Sequence, residues 1–120
     1  MKNISYIILL ILVCSTLICC SYFSRSFTLG QKYPSTSPAQ ISVVEGTPDK
    51  TFEVVGKVHS HCRKNWFFGW GGGRNNKMME MLKKEAALLG ANAIMDVKTT
   101  RFSQFEWSDI HYHATAIRWK

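Results

Sequence analysis

Residues 76–92, NKMMEMLKKEAALLGAN, form the chain's clearest element, an amphipathic helix. A lone helix with one apolar stripe needs a sheet to cover it. Met78, Met79, Leu82, Ala86 and Leu89 recur at helical spacing along a stripe about 100° wide, with Glu80, Lys83 and Lys84 opposite. Asn75 or Asn76 can cap the start. Gly90 supplies the left-handed residue that commonly ends a helix. The Met stripe reads as core, because methionine fills irregular apolar gaps.

The flanking segments carry the period of strands. In residues 51–62, TFEVVGKVHSHC, one face holds Phe52, Val54, Val58 and Cys62, and the other holds Glu53, Lys57, His59 and His61. Gly56 interrupts this run and marks either a bulge or a close backbone approach. Residues 41–46 and 91–102 read as further strands. In the last segment, 109–120, Ile110, Tyr112, Ala114 and Ala116 alternate with His111, His113, Thr115, Ile117 and Trp119. The small Ala114 and Ala116 suit a strand lying under a helix. The expected fold is therefore α+β, a small β-β-α-β-β domain over residues 43–120 with one helix on one face of a sheet.

Cysteine usage decides what holds such a domain together. Of the four cysteines, Cys14, Cys19 and Cys20 lie near the N-terminus, and Cys62 alone lies in the folded part. No intrachain disulfide can staple the domain, so it must rest on its apolar core, with Cys62 buried, reactive or paired to another chain.

Residues 1–23 read as a signal peptide or membrane anchor. Lys2 precedes an uncharged apolar stretch over residues 4–23, and Arg25 follows it. A stretch of about twenty such residues is long enough to span a bilayer. A helix apolar all round could not be covered by so small a domain. The segment LICC resembles a bacterial lipobox, with Leu17 at its first position and Cys20 as the lipid acceptor, although Cys19 stands where Gly, Ala or Ser is usual. Cleavage after Ser21 and an uncleaved anchor are the alternatives. All three place the domain outside the cytoplasm, or at least on a membrane, and the expected location is membrane-anchored in the bacterial cell envelope. Residues 24–42, rich in Ser and Thr with Pro34 and Pro38, read as a tether.

Several residues are candidates for chemistry. The four histidines form two His-x-His pairs, His59 with His61 and His111 with His113. That spacing sets both rings of a pair on one face of a strand. Were the two strands neighbours, four imidazoles would share one face and suit zinc, copper or nickel. The alternative is polar side chains facing solvent. His61 and Cys62 are adjacent along a strand and so point to opposite faces, which argues against nucleophilic catalysis. The segment GWGGGRNN precedes a helix but lacks the Lys-Ser/Thr ending of a phosphate-binding loop.

Trp66, Phe67, Phe68 and Trp70, with Arg63, Lys64 and Arg74, read as an interaction loop suited to a membrane interface or an anionic partner; the alternative is that the rings cap the core. The chain carries net charge +7, and only Lys2 of its cations lies in the leader, so the domain favours anionic partners.

The segment VVGKVHSHC, the helix ending KKEAALLGANAIMDVK and the closing HATAIRW resemble the YbjQ-like and RcsF-like group of small bacterial domains. Residues 55–58, Val-Gly-Lys-Val, and residues 87–94, with Leu-Gly-Ala-Asn-Ala at 89–93, carry the likeness over roughly residues 43 to 120. The resemblance implies an α+β fold without catalytic apparatus. RcsF-like members are outer-membrane lipoproteins that report envelope stress, and YbjQ-like members form rings and carry a heavy-metal-binding label. RcsF-like domains contain disulfides. Cys62 matches one of their cysteines, and Thr99 stands where its partner is expected.

These readings lead to a membrane-tethered, extracytoplasmic, non-enzymatic domain for envelope binding, structure or stress sensing. The alternative is a metal-binding protein using the paired histidines. No cofactor is expected. An envelope protein or anionic lipid is the expected partner, a homo-oligomer is compatible, and nucleic acid is not expected.

Overall fold

A computed structural model describes residues 2–17, 21–65, 74–104 and 107–120. Helix α1 (Lys2–Leu17) precedes strand β1 (Ser21–Thr28), followed by β2 (Ser42–Val44) and β3 (Phe52–Asn65). Helix α2 (Arg74–Leu88), β4 (Ala93–Ser103) and β5 (Trp107–Trp119) complete the chain. The five strands form one mixed sheet in the order β1-β3-β5-β4-β2, antiparallel except for the β2–β4 pair. The α+β class agrees with the sequence reading, and the element order differs from it.

The difference begins with β1. Residues 24–42 were expected as a tether, yet Ser24–Thr28 continue an edge strand paired along β3. The segment SYFSRSFT alternates, with Phe23, Arg25 and Phe27 against Tyr22, Ser24 and Ser26. Its polar composition hides that period, and an edge strand needs only one pairing side and little apolar area. Residues beyond β1 also belong to the domain. The Thr36 amide and hydroxyl donate to the carbonyls of Ala87 and Ala91 at 2.9 and 2.7 Å, and Ile41 is buried. Gly90, with φ of +76°, ends α2 as expected. A β-carbon there would also sit 2.6 Å from the Pro34 carbonyl oxygen, so this glycine lets the crossing segment approach. The domain thus starts at β1 and not at residue 43.

The core is one layer, formed by α2 on one face of the sheet. Met78, Leu82 and Ala86 are fully buried there, with Leu89 almost so. They meet Val55, Val58 and Cys62 from β3, Ile94 from β4, and Ile110, Tyr112, Ala114 and Ala116 from β5. The helix begins at Arg74, so Asn75 and Asn76 lie inside its first turn rather than before it. Ser60, buried among apolar neighbours, donates its hydroxyl to the Met78 carbonyl at 3.1 Å and so remains satisfied.

Two bulges set which side chains face the helix. Pairing of β3 with β5 shifts between Val54 and Gly56, so Val55 and Gly56 both turn inward. Val55 is 1% exposed and Val54 is 43% exposed, which reverses the inward assignment of Val54. Glu53 moves to the helix side with it, where Tyr33 donates its hydroxyl to Glu53 Oε1. The second bulge, between Met95 and Lys98, contains Asp96 at φ of +53°, a left-handed conformation that aspartate tolerates better than most residues.

Helix α1 is sixteen residues long, or about 24 Å. Among the described residues, no helix is long and apolar enough to cross a membrane. All described side chains of α1, residues 2–13, are exposed.

Candidate functional site

The face of the sheet opposite α2 carries both histidine pairs. Antiparallel pairing of β3 with β5 sets His59 across from His113 and His61 across from His111, so the strands are neighbours and all four imidazoles share one face. Strand β1 extends these rows with Arg25 beside His59 and Phe23 beside His61. Strand β4 extends them on the other side with Lys98 beside His113 and Thr100 beside His111.

The rings form a compact stack. His61 and His111 lie with centroids 4.2 Å apart and planes within 4°. His59 and His113 are 4.5 Å apart. Diagonally, His59 Nε2 and His111 Nδ1 share a hydrogen bond at 3.0 Å, so one ring donates and the other accepts. Phe23 stacks on His61 at 6.0 Å, and Phe102 meets His111 edge-on. Three of the histidines are half-buried and His113 is exposed.

Asp109 closes one end of the row. Its Oδ1 accepts from Arg63 Nε at 2.9 Å and its Oδ2 from Arg63 Nη2 at 3.1 Å. His61 Nε2 is 3.3 Å from the same Oδ1. The Arg63 hydrogen bonds, aided by His61, hold the Asp109 carboxyl below its usual pKa, and the carboxylate in turn raises that of Arg63. Arg63 thus meets Asp109 across the strand pair, where the sequence alone assigned it to the interaction loop. A signal for their meeting was present: any antiparallel register pairing His61 with His111 also sets Arg63 opposite Asp109.

Burial makes two of these rings, His59 and His111, resist protonation. Burial, then the charges that His113, His111, Arg25 and His61 would carry, push His59 down to about 4. Burial and then His61 lower His111 as well. The folded His59 pKa lies below its unfolded value, so between these values the unfolded chain binds more protons and stability rises with pH. On lowering the pH from about 6.5 to about 4, the metal-free protein is expected to lose on the order of 1–2 kcal/mol through this group, less than full conversion of the shift because the ring is partly hydrated. Urea unfolding across this range tests it. His59→Gln should flatten the profile, and an unchanged profile would refute the assignment.

Among the described residues, two trios bring metal-ligating atoms within 4.8 Å of one another: His59, His111 and His113, and His61, Asp109 and His111. Beside the first lies a cleft of about 520 Å³ bordered by His59, His113, Arg25, Lys57 and Lys98. Cys62 lies in the core on the other face. Cys20, Trp66, Phe67, Phe68 and Trp70 fall outside the described residues. Lys64 is the penultimate residue of β3, and Arg74 opens α2.

No protein-family model matches the chain, and no curated protein matches it. A solved structure does: the crystal structure of a Francisella virulence factor, FvfA, in its orthorhombic form. The TM-score is 0.55 and the identity 16%, covering 78% of this chain and 97% of that chain. At that identity the likeness shows the fold alone.

Proposed function

We propose that this protein is a membrane-anchored, extracytoplasmic, non-enzymatic domain that binds an envelope partner. The observation that carries the reading is α1. Ile4, Ile7, Ile8, Leu9, Leu10, Ile11 and Leu12 are each more than half exposed, on every side of one helix. An apolar helix uncovered all round is stable in lipid and costly in water. A bilayer core is about 30 Å thick, so α1 needs several residues beyond Leu17 to cross it. Only residues 18–20, Ile-Cys-Cys, lie between α1 and β1, and with them the uncharged run 4–20 reaches the lower end of the length a spanning helix needs.

An anchor in residues 1–20 would lie close in sequence to the sheet. Strand β1 starts at Ser21, so the domain hangs from its own edge strand rather than from a long tether. Ser21 pairs with Arg63, which puts the exposed Arg63 at the anchor end. Lys77 reaches the same end, with its ammonium 4.3 Å from the Tyr22 ring centroid. Cations there suit anionic lipid headgroups or an acidic partner held near them. A leader followed by one small α+β domain also agrees with the RcsF-like arrangement.

Membrane fractionation of the full chain, followed by intact mass of the mature protein, tests the reading. The chain should stay with membranes through an alkaline wash. A chain starting at Cys20 with acyl mass identifies lipidation, and Cys20→Ala should then accumulate precursor. Retention of α1 identifies an uncleaved anchor. Recovery entirely in the soluble fraction with the leader intact would defeat the proposal.

A further inference from the structure

His59, His111 and His113 occupy two interior strands of the sheet, β3 and β5, each paired on both sides. Ligands on such strands are held more firmly than ligands on loops. Zinc binds imidazole nitrogen at about 2.0–2.1 Å, so two nitrogens around one tetrahedral ion lie roughly 3.3 Å apart. His59 Nε2 and His111 Nδ1 are 3.0 Å apart, and all three rings offer ligand atoms within 4.8 Å. The rings are stacked, so they must rotate about their side-chain torsions to turn three nitrogens toward one ion.

The neighbouring trio is less suited. Both oxygens of Asp109 are already engaged by Arg63, at 2.9 and 3.1 Å. A dication there would have to displace or approach a fixed guanidinium. His111 belongs to both trios, and two dications a few ångströms apart would repel strongly. The first trio is therefore the better candidate for a single ion.

Three protein ligands leave an open coordination position. Two of them, His59 and His113, border the cleft that Arg25, Lys57 and Lys98 also line, with Asp96 as the acidic member. Those cations favour an anion at the open position. We infer that His59, His111 and His113 bind one divalent transition-metal ion, of the zinc, copper or nickel class, whose open position takes an anionic co-ligand from the cationic cleft. The site does not depend on how the chain is anchored.

Calorimetric titration of the full chain in detergent micelles with zinc, then copper, tests it. One ion per chain is expected. Loss of a direct ligand in His111→Gln or His113→Gln should weaken binding by roughly 100-fold or more, beyond the 10–100-fold typical of outer-shell changes. His61→Gln and Asp109→Asn should each change affinity by less than about fivefold, a smaller effect than outer-shell losses usually give. Acetate should tighten zinc binding, and Lys57→Ala with Lys98→Ala should abolish that gain. Metal-free melting of each variant separates ligand loss from unfolding, and His113, exposed on the surface, is the substitution least able to disturb the sheet. No binding, two ions per chain, or equal losses in Asp109→Asn and His113→Gln would overturn the site. An acetate-independent affinity would overturn the co-ligand.

Discussion

Leu82→Ala is expected to lower the unfolding free energy by about 2–5 kcal/mol, the range for a buried leucine truncated to alanine. Leu82 is fully buried in the middle of α2, between Met78 and Ala86 on the stripe that meets the sheet. Its helix neighbours Met78 and Ala86 and the facing Val58 and Ile94 are buried as well, so the truncation leaves an enclosed void. With total stabilities of about 5–15 kcal/mol for such domains, the variant should sit close to unfolding. Urea denaturation at neutral pH measures the loss. A change below about 1 kcal/mol would mean that α2 does not carry the core as described.

Gly56→Ala is expected to destabilise by about 1–3 kcal/mol, as overpacking does, and to act first on β1. A β-carbon at Gly56 would stand 2.2 Å from the Phe27 carbonyl oxygen and 2.6 Å from Leu89 Cδ1. The leucine can change rotamer, but the carbonyl is main chain paired within the sheet, so the edge strand must move. Hydrogen exchange should therefore rise at Leu29, whose amide donates to the Val55 carbonyl at 2.9 Å, and along the end of β1. The pairing of β3 with β5 lies on the other side of Gly56, so amides beside the histidines should keep their protection. Uniform loss of protection across the sheet would contradict this account. No change at all would show that β1 does not approach so closely.

Local periodicity determined a good deal of this protein. The spacing of Met78, Leu82, Ala86 and Leu89 is a property of one continuous segment, and the same residues form the buried stripe of α2. Gly90 ends that helix for a conformational reason visible without neighbours, its left-handed backbone. The alternation of Ile110, Tyr112, Ala114 and Ala116 likewise named the buried face of β5. Each His-x-His pair was a matched couple on one strand face before any sheet was drawn.

Tertiary structure decided whatever depends on a partner distant in sequence. The bulge at Val54 and Gly56 reversed the expected facing of Val54, because a one-residue insertion in the ladder is a relation between two strands. Strand β1 was hidden because its polar residues satisfy one pairing edge without the apolar content that marks a central strand. The candidate metal site has the same origin. Residues 59 to 61 and 111 to 113 each supply a pair of imidazoles, and only the antiparallel adjacency of β3 and β5 turns two pairs into one cluster. That adjacency also delivers Arg63 to Asp109, which occupies the carboxylate, while His59 and His113 border the open cleft with His111 within ligand distance of both.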